Sequence, residues 1–267
     1  MATPIVRPVA AVSFEGVAKS YGDRAAVEPL WLTLAAGECF GLIGPNGAGK
    51  TTAIKLAVGL LRPSAGRIRI AGHDVHRDGV ASRRVTGYVP DHAALYEKLT
   101  GQELLELAAD LHGVPAGPRR IRIAAALRAL DLESARRQLI QTYSRGMRQK
   151  LALAAALLHD PKVVILDEPT VGLDPRSGRQ LRAVLGGLCA RGRTVLLSTH
   201  SLEVAAVLCD RVGIFDHGRL VACGTVAELA AAGAGPGSTS SALEAAVLAL
   251  TGDDREGTEL LLAALAG

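Results

Sequence analysis

The residues best suited to chemistry form one short loop, Gly44-Pro45-Asn46-Gly47-Ala48-Gly49-Lys50-Thr51-Thr52. It follows the apolar run Cys39 to Ile43 and precedes a helix-like segment, Ala53 to Leu61. A strand, a glycine-rich turn and a helix N-terminus together aim backbone N–H groups and the positive end of a dipole at an anion. The glycines let the amides turn inward. Lys50 is placed to reach the β- and γ-phosphates of a nucleotide, and Thr51 to offer its hydroxyl to Mg²⁺. The chain holds 30 glycines, so a chance match must be weighed. The flanking strand and helix argue against chance.

A second set lies downstream. The apolar run Val163 to Leu166 ends in Asp167 and Glu168. Two carboxylates at the mouth of a sheet can divide the labour of phosphate chemistry. Asp167 would hold Mg²⁺ through water, and Glu168 would orient or deprotonate the attacking water. Solvated acids also end ordinary strands, so this pair gains its meaning beside the phosphate loop. His200 closes another apolar run, Leu196-Leu197-Ser198-Thr199-His200, and could contact the γ-phosphate. Taken alone it would be an ordinary turn histidine.

These groups need a scaffold. Residues Val9 to Leu34 contain β-like runs around Tyr21-Gly22-Asp23, and Arg67 to Ala71 alternates with period two. Both predict an antiparallel β portion flanking the loop. Thr100 to His112 reads as a helix capped by Thr100 with Glu103 three residues on, and Leu104, Leu107, Ala108 and Leu111 share one face. Arg119 to Leu130 is a second helix, set apart by Pro115, Gly117 and Pro118. Ser144 to His159 is a third, stopped by Pro161. Val163 to Leu166 and Thr194 to Leu197 look like buried parallel strands with a helix, Arg176 to Ala190, between them. Arg211 to Phe215 and Arg219 to Ala222 form a hairpin around Asp216-His217-Gly218. Strands alternating with helices predict an α/β core.

Composition sets bounds on function. The chain has 267 residues, 49% of them hydrophobic but only 3% aromatic, so its core is built from aliphatic side chains. The net charge is +4, with no block of like charge, so no nucleic-acid partner is expected. Cys39, Cys189, Cys209 and Cys223 form no C-x-x-C pair, which disfavours a zinc site or disulfide framework and fits a reducing compartment. Met1 to Ala10 lacks the pattern of a signal peptide. The longest apolar run, Leu151 to Leu158, is far short of the roughly 18 residues that span a bilayer. Work at a membrane would need another polypeptide.

From about Val12 to Leu229 the ordered motifs resemble the nucleotide-binding subunit of an ATP-binding cassette (ABC) transporter. Gly44 to Thr52 resembles the Walker A motif, Val163 to Glu168 Walker B with its catalytic glutamate, and Gly172-Leu173-Asp174-Pro175 the D-loop. His200 resembles the switch histidine, and Tyr21 the aromatic that stacks on adenine. Tyr143-Ser144-Arg145-Gly146-Met147 falls where the LSGGQ signature belongs. The resemblance implies an α/β, P-loop NTPase core with an antiparallel β subdomain and an inserted α-helical subdomain. It implies catalytic roles for Glu168 and His200, and ATP contacts from Tyr21, Gly44, Pro45, Asn46, Gly47, Ala48, Gly49, Lys50, Thr51, Thr52, Ser144, Gly146 and Asp174. Thr51, Asp167 and Asp91 are the expected Mg²⁺ residues. The expected cofactors are ATP and Mg²⁺. The expected partners are a second copy, joined head to tail through two ATP molecules, and an integral-membrane permease subunit at the inner face of the cell membrane. Ser144 can cap its helix while Gly146 admits close backbone approach to an anion.

Two departures from the pattern matter. Tyr143, Arg145 and Met147 stand where the signature has Leu, Gly and Gln; this form resembles subunits paired with ABC-2-type exporters. Gly87-Tyr88-Val89-Pro90 is followed by Asp91 where the family has Gln, a shorter and charged group that could meet Mg²⁺ through a water. Leu95, Tyr96 and Leu99 are expected near the membrane partner. The expected organisation is an ATPase domain over 1–229 with a helical subdomain about 92–158, a linker at 230–241, and a helical extension over 242–267 with helices near Ala242 to Leu250 and Thr258 to Leu265. The alternative is an ABC ATPase acting on ribosomes or nucleic acid, which usually carries two cassettes and a basic linker.

Overall fold

The computed structural model describes residues 10–171, 173–232 and 239–251. The chain opens with a hairpin, β1 (Ala10–Tyr21) and β2 (Arg24–Ala35), then enters β3 (Cys39–Ile43) and α1 (Lys50–Ala57). β4 (Ala65–Ile70), β5 (His73–Asp74), α2 (Gly79–Arg84) and β6 (Thr86–Val89) follow. Three helices come next, α3 (Gly101–Leu111), α4 (Ala116–Ala129) and α5 (Arg145–Leu157). The chain then alternates through β7 (Val163–Asp167), α6 (Pro175–Ala190), β8 (Thr194–Thr199) and α7 (Leu202–Leu208). It continues with the hairpin β9 (Arg211–Asp216) and β10 (Arg219–Thr225), then α8 (Val226–Ala232) and α9 (Thr239–Thr251).

Two sheets result, an antiparallel one in the order β2-β1-β4-β5 and a larger one in the order β10-β9-β3-β8-β7-β6. All pairings in the larger sheet are parallel except β9 with β10. Every residue of β3, β7 and β8 is buried, which is why these strands read as unbroken apolar runs. Their side chains still alternate between two cores. Phe40 and Leu42 face the core shared with the antiparallel sheet and α1, whereas Cys39 and Ile43 face the core shared with the helices. The expected α/β P-loop fold, with its antiparallel sheet, is therefore present.

The helical stretch leaves the sheet after β6 and returns at β7, the strand beside it. Thr100 and Glu103 form the expected capping box at α3. The buried stripe of α3 differs from the expected one: Leu104, Leu105 and Ala109 are buried, whereas Leu111 is 77% exposed. Four leucines allow more than one stripe, and packing against α4 and α5 selects among them. Helix α4 begins before Pro118, with Pro115 as its N-cap. A proline costs little in a first turn, where the N–H has no partner in the helix. The stretch expected as a linker is helical at both ends, with residues 230–232 in α8 and 239–241 in α9. Leu243 and Val247 of α9 sit in the helical core rather than apart from it. The expected helix at Thr258 to Leu265 lies outside the described residues, as does Gly172.

Candidate functional site

The strand order decides what comes together. β3, β8 and β7 are neighbours, so the phosphate loop, His200 and Glu168 leave the same edge of the sheet side by side. Clefts at the carboxyl ends of such strands are where α/β sheets bind ligands.

The loop is shaped by glycines, two of which, Gly44 and Gly49, leave no room for a side chain. Gly44 has φ 146° and its missing Cβ would lie 2.1 Å from the Phe215 carbonyl oxygen. Gly49, at φ 106°, caps α1 and approaches the Ala26 carbonyl. Gly47 has φ 82° and faces open space, as a residue at a ligand surface should. Helical bonding starts inside the loop, Ala53 N–H donating to the Gly49 carbonyl at 2.9 Å, so α1 begins at Lys50 rather than Ala53. Its first-turn N–H groups thus abut the loop.

Lys50 is 5% exposed and donates to the carbonyls of Gly44 (2.6 Å) and Pro45 (2.9 Å). Its Nζ lies 4.0 Å from Glu168 Oε1. Burial pushes its ammonium below the ordinary value, against the pull of Glu168 and Asp167. A buried cation held by two carbonyls is poised for a stronger anionic partner.

Asp167 is 2% exposed and accepts from Thr51 Oγ1 at 3.2 Å. Ser198 Oγ donates to the same carboxylate oxygen and accepts from Glu168 N–H at 3.1 Å. Ser198 is Asp167's register partner across the parallel β7–β8 ladder. Sequence reasoning passed over Ser198; its one signal is a hydroxyl within an otherwise apolar run. Glu168 adopts φ 47°, a left-handed conformation that costs a non-glycine residue about 1–2 kcal/mol. Its N–H also donates to the Ser198 carbonyl, and its Oε2 pairs with His200 Nδ1 at 2.9 Å. The strained backbone turns Glu168 into the cleft and toward His200.

A cleft of about 650 Å³ opens over the loop. Tyr21 and Arg24 of the β1–β2 turn, residues 46–52, Asp91, Glu168, His217 and Gly218 line it. Tyr21 is 52% exposed, with Lys19 Nζ 5.1 Å over its ring. Arg24, His217 and Gly218 were not legible as site residues. The Asp216-His217-Gly218 turn is pinned here by Gly218 N–H donating to Ala48 O and Glu28 N–H to Gly218 O, both at 2.8 Å.

Three predicted nucleotide contacts stand apart from this cleft. Ser144 Oγ accepts from Met147 N–H and caps α5, with Gly146 in the same first turn. Asp174 caps α6, accepting from Arg176 N–H, Ser177 N–H and Ser177 Oγ. The Ser177 hydroxyl bond and these amides hold its carboxyl down at about 2. Asp91 does line the cleft, but its Oδ2 pairs with His92 Nδ1 at 2.9 Å and its Oδ1 lies 3.6 Å from Arg145 Nη2. Tyr143 is buried, its hydroxyl donating to Ala135 O at 2.8 Å. A separate groove of about 380 Å³ runs between the sheet and the helical segment, lined by Leu60, Arg83, Leu95, Leu111 and a stacked pair, His112 and His159.

The oxygen donors Thr51 and Asp167 suit Mg²⁺, which takes one or two carboxylates and completes its shell with phosphates and water. Among the described residues no group of three His, Cys, Asp or Glu gathers as a self-sufficient metal site.

Comparison with known proteins gives the family. Residues 27–171 match the ABC transporter family. The daunorubicin resistance ATP-binding protein DrrA3 of Streptomyces coeruleorubidus is 45% identical over 83% of this chain and 70% of its own length. A Nod factor export ATP-binding protein I from Paraburkholderia xenovorans is 41% identical over 84% of this chain and 74% of its own. A solved dimeric ATP-binding cassette in a post-hydrolysis state, bound to ADP and Pi, superposes with a TM-score of 0.75 at 27% identity, covering 80% of this chain and 98% of that one. The chain belongs to the ABC transporter family. It is an ATP-binding subunit of that family, with export-type relatives, and an ATPase.

Proposed function

We propose that two copies of this chain close on ATP, and that binding and hydrolysis drive a separate integral-membrane permease subunit in the direction of export. The observation that carries this reading is the gathering of Lys50, Asp167, Glu168 and His200 at neighbouring strand ends around one glycine loop.

Tyr21 offers its ring to the adenine. The amides of Gly44, Asn46 and Gly47, and those of Ala48 to Thr52, cradle the phosphates, and Lys50 exchanges its carbonyl partners for phosphate oxygens. Thr51 and Asp167 would hold Mg²⁺; Asp91, expected to join them, instead has its oxygens turned to His92 and Arg145 and stands at the edge of the cleft. Mg²⁺ neutralises charge on the phosphate oxygens when bound. Glu168 orients and deprotonates the attacking water, while His200 steadies Glu168 and faces the γ-phosphate. Ser144 and Gly146, at the N-terminus of a 13-residue helix, serve the nucleotide of the second copy, with Asp174 at the junction. This supplies a reason for their distance from the cleft: they complete another copy's site.

No helix among the described residues is long and apolar enough to cross a membrane. The groove beside Leu95 and Leu111, with Tyr96 exposed nearby, is the proposed seat of the permease, which would bring the protein to the inner membrane face. Residues 1–229 act as the ATPase unit, 92–158 as its helical subdomain, and 242–267 as an extension, of which α9 places Leu243 and Val247 in the helical core. The dimer is tested with Glu168→Gln: it should retain ATP binding, lose about 10²- to 10⁴-fold in turnover, and sediment as a dimer with ATP and Mg²⁺. A variant that stays monomeric at all nucleotide concentrations would sink the reading.

A further inference from the structure

The chain departs from its family's pattern at Asp91 and at Arg145, and the structure brings these two departures into contact. Arg145 Nη2 lies 3.6 Å from Asp91 Oδ1. That oxygen is buried and carries no hydrogen bond, so the guanidinium is its charge partner. Asp91 belongs to two walls at once. It lines the nucleotide cleft with Lys50, Thr51 and Glu168, and it lines a second cleft of about 430 Å³ with Tyr143, Arg145 and Arg148.

Arg145 is poorly placed for its own helix. It opens the first turn of α5, which holds no acidic residue, so its charge faces the positive end of the dipole. Its neighbour Arg148 is engaged by Glu97 and by two carbonyls, whereas Arg145 is directed at Asp91. Asp91, for its part, sets a negative charge beside a cleft that receives a polyanion. At 3.6 Å the guanidinium screens the charge on Oδ1, while His92 Nδ1 holds Oδ2 at 2.9 Å.

We propose that Arg145 is a positioning residue for ATP in its own subunit, acting through Asp91: it holds and neutralises a carboxylate that would otherwise face the phosphates. This rests on the reading of the loop as the ATP site. It gives the residue after Ser144 a duty in its own subunit, while Ser144 and Gly146 serve the other.

The test is a double-mutant cycle on ATP affinity, measured by calorimetry with Mg²⁺ at protein concentrations that keep the chain monomeric. Arg145→Gln should weaken binding about 2- to 5-fold, the range of an exposed ion pair. The same change in an Asp91→Asn background should alter affinity by less than about 1.5-fold, and Arg145→Lys should keep wild-type affinity. The loss should shrink in about 1 M salt. An equal loss in the wild-type and Asp91→Asn backgrounds would overturn the proposal, because Arg145 would then act independently of the carboxylate. So would no loss in any background. Wild-type protein that fails to bind ATP, or binds no better than Lys50→Ala, would instead defeat the loop assignment beneath it.

Discussion

Gly101→Ala is the perturbation whose cost can be worked most directly from the structure. Gly101 is the first residue of α3, and a Cβ there would lie 2.3 Å from the Tyr143 hydroxyl oxygen and 3.2 Å from its Cζ. That hydroxyl cannot retreat freely, since it donates to the Ala135 carbonyl at 2.8 Å in a buried setting. Alanine is intrinsically better than glycine in a helix by about 0.5–1 kcal/mol. Forcing an extra carbon into a packed site costs about 1–3 kcal/mol. The net expectation is a loss of about 1–2 kcal/mol. Tyr143→Phe removes the obstructing oxygen but strands a buried carbonyl, at about 1–3 kcal/mol. Independent effects would sum to about 2–5 kcal/mol. With the oxygen gone, however, the closest remaining atom is at 3.2 Å, which a small ring shift accommodates. The double variant should therefore escape the overpacking cost, a coupling of about 1–3 kcal/mol. Urea denaturation reads the cycle, and thermal melting should show about 2–4 °C per kcal/mol. Additivity within about 0.5 kcal/mol would refute the reasoning. The result bears on function, because Tyr143 immediately precedes Ser144, the N-cap of α5.

Two further outcomes concern the phosphate loop, and a third concerns pH. Gly44→Ala meets a carbonyl oxygen at 2.1 Å and should disrupt folding, as read by soluble yield and melting temperature. Gly47→Ala meets nothing within 4 Å and should cost only about 1–2 kcal/mol of backbone strain while weakening ATP binding, as urea denaturation and calorimetry would show. Burial and the neighbouring His112 hold His159 down at about 4, below the ordinary value of 6.5. A depressed histidine contributes stability that is present above about pH 6.5 and lost as pH falls toward 4. His159→Gln should therefore flatten the pH dependence of unfolding between about pH 6.5 and 4 and leave it unchanged above about pH 7; an unaltered slope would show that His159 titrates normally.

The sequence alone determined the parts whose chemistry is local. The phosphate loop is a contiguous run in which residue type and spacing dictate the backbone, and the capping box of Thr100 and Glu103 is fixed within one helical turn. The fully buried strands declared themselves as apolar runs because both faces of the parallel sheet are covered. What depended on contacts distant in sequence was hidden. The stripe that α3 buries was ambiguous until α4 and α5 packed against it. Ser198 joined the site only through strand register with Asp167, and His217 only because a hairpin far along the chain is pinned to Ala48. Asp91 and Arg145 read as separate oddities in the sequence. Only the tertiary fold sets them 3.6 Å apart, because an ion pair between residues so distant along the chain leaves no local pattern to read.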